Sequence, residues 1–377
     1  MNDKGYATAK VGQTSEQIVK MYIDFYVNFR RQNCSHRKAM KQLDRIVHID
    51  QFDDFKEYFG IDEYIVLESN SRDAAIAAIN HVHNEYSADV IEAYHVGLQG
   101  AEEVRRITGK ESNADIVINA LEHMSNNQTF IGSSLKYSKA QKKETYIKVH
   151  SPTLNTVAKI IDEFGAKTTK KLEAIASNGL LAQQRAVLQF ESLLQDVFSS
   201  PIKYGKRVCS FEYNEGLDQK ILSQGAVSYL RDSATTELRQ VFDAIANENL
   251  AMKIKIADCL FKDIRRLLTS LSKNEYEKLL RKFINTDKSY LNTFLLSTTR
   301  NKDNSSEVNI FDIEMLIRHH MNEEQVRLAK NKDTTSFYLG PGKINVDCRP
   351  TNTRNPLGFI AAYYINKNEL YKSNETH

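Results

Sequence analysis

The stretch DIVINALEHMSNNQTFIGSSLKYSK, residues 115–139, decides how the rest of the chain is read. ADIVI (114–118) and TFIGSSLKY (129–137) are short runs of the β-branched and aromatic residues that suit strands, and EHMSNNQ between them is turn chemistry. Two strands joined this way predict a hairpin. Strand side chains alternate with period two, so Ser134 and Lys136 share one face while Leu135 points to the other, into the core. Neighbouring strands lie about 4.8 Å apart. A carboxylate entering the first strand, Asp115, and a lysine near the end of the second, Lys136, can therefore converge on one point.

Such a point suits a metal ion and a phosphate. Hard divalent cations such as Mg²⁺ take one or two carboxylates plus water and substrate oxygens, and a lysine beside the ion can orient the water or neutralise charge in the transition state. With a glutamate-bearing helix ahead of it and a helix behind it, this pattern resembles the PD-(D/E)xK nuclease superfamily, the restriction-endonuclease-like fold, over roughly residues 95–165. The resemblance implies an α/β fold with a restriction-endonuclease-like mixed sheet flanked by helices; an additional, largely helical region is read from the pattern of residues 215–330. It implies a Mg²⁺-dependent (or Mn²⁺-dependent) endonuclease acting on double-stranded DNA, with Asp115 as metal ligand and Lys136 as catalytic lysine. Glu103 or Glu102, on the preceding helix, would help hold the ion, and Glu111 after Gly109 is a further candidate. Since two strands need two cuts, it also implies a homodimer.

One position departs from the family pattern. Two residues before the lysine, where Asp or Glu is usual, this chain has Ser134. A hydroxyl lines the site or holds a water but carries no charge. A glutamate or aspartate farther on could compensate, and Glu144, Asp162 and Glu163 are the candidates. Otherwise the site is degenerate, and the chain is a non-catalytic nucleic-acid-binding or assembly protein. Each residue also has a purely structural reading: Asp115 as a strand-entry turn residue, Lys136 as a charge guarding a sheet edge, Glu102 and Glu103 as partners of Arg105 or Arg106. Lys139, Lys142 and Lys143 follow the hairpin where contacts to a DNA backbone would help, or where a solvated lysine-rich loop would do equally well.

Outward from the hairpin, residues 14–32 read as an amphipathic helix with Thr14 and Gln17 as a capping box and Ile18, Tyr22, Phe25 and Phe29 on one face. A strand is expected at Tyr64–Leu67, a helix from near Ser71, and another over Asp89–Thr108 that stops at Gly109. SPTLNTVAKIIDEFG (151–165) predicts a helix capped by Ser151, with Leu154, Val157, Ile160 and Ile161 buried. Helix continues to about residue 197, YGKRVCSFEYN (204–214) reads as a strand, and 215–330 as mostly helical. SFYLGPGKINVDCRP and LGFIAAYYI make a closing β segment. The expected division is an N-terminal helical region at 1–64, a nuclease-like α/β core at 65–214, a helical DNA-grasping or dimerisation region at 215–335 and a C-terminal β hairpin and tail at 336–377.

Composition sets the outer limits. Hydrophobic residues are 41% and charged residues 26% of 377, as in a globular protein with a sizeable core. No run approaches the ~20 apolar residues of a membrane span, and MNDKGYATAK has no signal-peptide core, so the expected setting is the cytosol. Cys34, Cys209, Cys259 and Cys348 are widely separated and suggest neither disulfides nor a zinc motif. The net charge of +3 does not mark a nucleic-acid binder, but ten Lys/Arg against five Asp/Glu between Ala251 and Tyr290, and five lysines against Glu144 between Phe130 and His150, are local basic patches. His81, His83 and the His319-His320 pair lack a ligand spacing and read as solvated or core histidines. YLGPGK (338–343) reads as a turn, and hydrolase and dehydrogenase glycine motifs are missing.

Overall fold

The computed structural model describes residues 4–46, 49, 51–112, 114–139, 146–200, 202–215, 218–286, 289–301, 305–322, 328–331, 334–347 and 359–366. The chain is mixed α/β and forms two compact units, each assembled from separated stretches: 1–147, 285–319 and 366–377 in the first, 148–284 and 320–365 in the second.

The first unit opens with α1 (Lys4–Arg31), α2 (His36–Leu43), α3 (Asp53–Phe59) and α4 (Ile61–Glu85). Ile18, Tyr22 and Tyr26, spaced four apart on α1, are fully buried and form a stripe each member of which contributes about 1.5–3 kcal/mol by burial. Thr14 and Ser15 lie inside this helix rather than at its start, and Ser15 Oγ meets Ser71 Oγ of α4 at 2.9 Å. The expected strand at Tyr64–Leu67 is helical: it belongs to α4, where Tyr64 and Leu67 are buried and Glu68 accepts from Tyr22 at 3.1 Å and from the Ile49 amide at 2.7 Å.

Next come β1 (Ala88–His95), α5 (Val96–Gln99) and α6 (Ala101–Thr108), where one helix over Asp89–Thr108 was expected. The sequence ADVIEAYH alternates well enough to pair with β2, and its bulge between Val90 and Glu92 blurs the period-two signal. Gly109 ends α6 with φ at 70°, in the left-handed region that suits glycine. The hairpin of β2 (Ile116–Glu122) and β3 (Gln128–Lys139) stands where expected, antiparallel, with Ile116 opposite Ser133 and Leu121 opposite Gln128.

The second unit then supplies β4 (Tyr146–His150), most of which it holds, α7 (Leu154–Asp162), α8 (Thr168–Leu188), α9 (Glu191–Val197), β5 (Ile202–Tyr204), β6 (Arg207–Cys209), β7 (Phe211–Asn214), β8 (Gln219–Leu222), α10 (Gln224–Arg231), α11 (Thr236–Leu268) and α12 (Lys273–Ile284). Thr153 rather than Ser151 caps α7, accepting from the Thr156 amide at 3.2 Å. The single strand read over 204–214 is parts of two small hairpins, β5–β6 and β7–β8. Helices α8 and α11 are tied by Thr168 and Lys171 to Asp263 at 2.9 and 2.6 Å, and by Gln183 to Asn249 at 3.2 Å.

The chain returns to the first unit with β9 (Thr293–Arg300), β10 (Ser306–Asp312) and most of α13 (Ile313–Asn322), two strands inside a stretch expected to be helical. β9 runs parallel to β3 and antiparallel to β10, giving a mixed sheet in the order β1-β2-β3-β9-β10. Ile116, Ile118 and Ala120 of β2 pack with α1 and α4, whereas Val117 packs with Val104 of α6, Ala114 and Leu291. Helices thus cover both faces, which is why IVINA is buried throughout. Finally β11 (Leu328–Lys330), β12 (Ser336–Leu339), β13 (Gly342–Asp347) and β14 (Ile360–Asn366) join β4 in the order β11-β12-β13-β14-β4. The YLGPGK segment is the tight turn between β12 and β13, with Leu339 opposite Gly342. Among the described residues no helix is long and apolar enough to cross a membrane.

Candidate functional site

The β2–β3 ladder ends at Ile116 and Ser133, and Asp115 extends it with its side chain. The Asp115 amide donates to the Ser133 carbonyl at 3.0 Å, and its carbonyl accepts from the Val96 amide at 3.0 Å. Its Oδ2 accepts from the Leu135 amide at 2.6 Å and from Ser134 Oγ at 3.1 Å. Lys136 Nζ donates to Ser134 Oγ at 2.8 Å and stands 3.9 Å from Asp115 Oδ2. Asp115, Ser134 and Lys136 are therefore brought together at one end of the hairpin. The alternation is as expected: Leu135 packs with the α1–α4 core while Lys136 and Ser134 turn away from it.

Removal from water raises the Asp115 carboxyl above the ordinary Asp value; Lys136 opposes this, and the negative charge of Glu16 adds to it. A carboxylate removed from water and acted on by a second negative charge favours its neutral form, and Lys136 offsets this only in part.

Glu16 is the functional candidate that sequence reasoning missed. It lies on α1, far from the hairpin in sequence, and is set by His95 at the end of β1: His95 Nε2 is 3.1 Å from Glu16 Oε2. The other ring nitrogen, Nδ1, accepts from the Leu98 amide at 3.0 Å. That bond fixes the tautomer, so Nε2–H donates to Glu16. His95 is nearly fully buried. Nothing in the sequence around Glu16 distinguishes it from any acidic residue on an amphipathic helix.

The glutamates of the helix before the hairpin are placed elsewhere. Glu103 pairs with Arg106 at 2.6 Å and Glu111 with Arg105 at 3.0 Å, both on exposed side chains, and Glu102 is exposed in the first turn of α6. Among the described residues none of the three bonds to Asp115, Ser134 or Lys136. Of the compensating acids, Asp162 caps α8 through the Thr168 and Thr169 amides, and Glu163 pairs with Lys282. Glu144, Lys142 and Lys143 fall outside the described residues; Lys139 is the last residue of β3. In the basic 251–290 segment Lys253, Arg266, Arg281 and Lys282 each face an acid, which leaves less free positive charge than the count implies.

The histidines also have particular places. His81 packs edge-on against Phe294, and His320 bonds Tyr276 Oη at 3.0 Å. His83 stacks on His36. No protein-family model matches the chain, and no curated protein does.

Proposed function

We propose that the chain is a divalent-metal-dependent DNA endonuclease of the restriction-endonuclease-like kind, with Asp115 and Glu16 as metal ligands and Lys136 as catalytic lysine. The observation that carries this reading is the junction of Asp115 and Lys136, 3.9 Å apart at the end of the hairpin and bridged by Ser134. The strand order supports it: two antiparallel steps from β1 to β3, then the parallel neighbour β9, with helix α1 ahead of them all. Glu16 takes the part first expected of Glu102 or Glu103.

The residues fit a hard cation. The donors are carboxylate oxygens and a hydroxyl, with no sulfur or imidazole at the ligand positions, as Mg²⁺ or Mn²⁺ prefers. A bound cation would offset the loss of water and the Glu16 charge that together raise the Asp115 carboxyl. When bound, the ion supplies charge neutralisation at the phosphate and a water of lowered pKa.

The chain's own residues do the rest. Asp115 Oδ2 is pinned by the Leu135 amide and Ser134, and Asp115 is the carboxylate that would hold the ion. Lys136 orients the attacking water and balances the charge that builds on the phosphate oxygens. His95 keeps the Glu16 carboxylate turned inward. Water's oxygen bonds to phosphorus, one ester P–O bond breaks, and the leaving oxygen takes a proton. Double-stranded DNA is the proposed substrate and a homodimer the proposed assembly, one site per strand.

Ser134 favours a second reading, a DNA-binding protein whose nuclease site has decayed, because the hydroxyl supplies no charge where an acid is usual. One experiment separates the two. Supercoiled plasmid is incubated with wild type and Lys136→Ala in Mg²⁺, Mn²⁺ or EDTA. Metal-dependent cutting that the variant loses supports the nuclease; DNA retained by wild type in EDTA and uncut in either metal supports the decayed site.

A further inference from the structure

At the opposite end of β1 from His95, four side chains from separate elements converge. His36 opens α2, His83 lies in the last turn of α4, Asp89 is the second residue of β1, and His123 begins the β2–β3 turn. One ligand atom from each of His36, His83 and Asp89 lies within 4.8 Å of the other two. His83 Nδ1 is 3.3 Å from Asp89 Oδ1, and His123 Nε2 is 3.5 Å from the same oxygen.

Those separations match the edges of a small coordination tetrahedron. With metal–ligand bonds of about 2.0 Å, two ligands of a tetrahedral Zn²⁺ stand about 3.3 Å apart. A second observation points the same way. His83 Nδ1 and Asp89 Oδ1 are both buried, and although they stand 3.3 Å apart their geometry makes no hydrogen bond between them. Close but misaligned lone pairs are what an ion between them would use. The rest of the cluster is anchored. Arg30 holds Asp89 Oδ2 and the Cys34 carbonyl, which leaves Oδ1 to the imidazoles. His36 bonds Tyr26 Oη at 2.9 Å and Asn80 Oδ1 at 3.2 Å.

We propose that His36, His83 and Asp89, with His123 as fourth ligand, bind one borderline transition-metal ion of the Zn²⁺ class. Imidazole and carboxylate donors suit Zn²⁺ and Co²⁺ and discriminate against Mg²⁺. His83, His123 and Asp89 are nearly in place. His36 stacks on His83 with centroids 3.9 Å apart and planes 5° from parallel. Parallel rings cannot both aim in-plane lone pairs at one ion, so His36 rotates on binding and gives up a bond to Tyr26 or Asn80. The ion then ties α2, α4, β1 and the hairpin turn together. This site is separate from Asp115 and does not depend on the nuclease reading.

The test uses the untagged full chain, stripped with EDTA and titrated with Zn²⁺ by calorimetry and with Co²⁺ by visible absorption. With excess Mg²⁺ present throughout to occupy the carboxylate site at Asp115, the expected result is one Zn²⁺ per chain, tetrahedral Co²⁺ bands, and no displacement by Mg²⁺. His83→Ala and Asp89→Asn each weaken Zn²⁺ binding by more than about 100-fold, while Asp115→Asn binds like wild type. Circular dichroism confirms that the variants fold, and Asp89→Asn, which keeps the side-chain shape, serves if His83→Ala does not. Absence of stoichiometric Zn²⁺ binding, binding unchanged in Asp89→Asn, or binding lost in Asp115→Asn would overturn the proposal.

Discussion

His95 Nε2 donates to Glu16 Oε2 across 3.1 Å, joining the end of β1 to α1. The bond is made by a buried ring whose other nitrogen is occupied by the Leu98 amide. Glu16 therefore has a set direction before any ligand arrives. In metal sites such supporting bonds are commonly worth about 10- to 100-fold in affinity or activity.

Gly97→Ala tests that support without touching a charge. A Cβ at this position would sit 2.9 Å from His95 Cε1, closer than side chains tolerate. The ring must move and Glu16 loses its donor. The expected outcome is Mg²⁺-dependent cleavage reduced by about 10- to 100-fold with the circular dichroism of wild type. Unchanged cleavage would remove His95 from the account.

Asp115→Asn should raise the unfolding temperature measured without metal. The sign follows from the folded carboxyl being raised above its unfolded value, by loss of water and by Glu16, against Lys136. Stability linked to it is present below the unfolded pKa and is lost as pH rises through the folded one, so at neutral pH the ionised form is a burden. The same variant should lose the upward shift that Mg²⁺ gives wild type. A fall in unfolding temperature without metal would show that the hydrogen bonds of Oδ2 outweigh the charge.

Gly132→Ala tests the sheet that carries the site. Its Cβ would meet Thr293 Oγ1 of β9 at 2.3 Å and Ala114 Cβ, in the segment leading into β2, at 2.9 Å. Overpacking of this kind costs about 1–3 kcal/mol. Urea unfolding reads it directly, and a loss within error of zero would mean that β2, β3 and β9 are spaced differently.

In the second unit, burial pushes the His150 imidazole below its ordinary value, with the bond from Nδ1–H to the Phe283 carbonyl opposing it. A depressed histidine contributes stability that is present above the unfolded value of about 6.5 and lost as pH falls through the folded one. His150→Gln should flatten the decline in stability between neutral pH and pH 5 in urea unfolding. An equally steep decline would place the acid sensitivity in other groups.

The hairpin was legible because its signals are local: two apolar runs, a polar turn, and an alternation that puts Leu135 inside and Lys136 out. Asp115 and Lys136 followed from it. β1 was not, because its bulge after Val90 breaks the alternation and leaves ADVIEAYH open to a helical reading. Tyr64 and Leu67 looked strand-like in isolation, yet they continue the buried stripe of α4. β9 and β10 follow long helical segments; β9 takes its identity from pairing with β3 and β10 from pairing with β9, which no local pattern announces. Glu16, His95 and the His36, His83, Asp89 and His123 cluster depend on contacts between distant elements. Glu102 and Glu103 precede the hairpin in the chain, but Glu103 pairs with Arg106, and the acidic charge that acts on Asp115 is that of Glu16, which no local pattern joins to the hairpin.

The most direct measurement is the rate of supercoiled-plasmid nicking in Mg²⁺ by wild type, Glu16→Gln and Glu103→Gln, side by side. The account predicts cutting by wild type, a loss of about 100-fold or more in Glu16→Gln, and near wild-type rates in Glu103→Gln, whose carboxylate serves Arg106. No cutting by wild type, or Glu16→Gln cutting as fast as wild type, would contradict it.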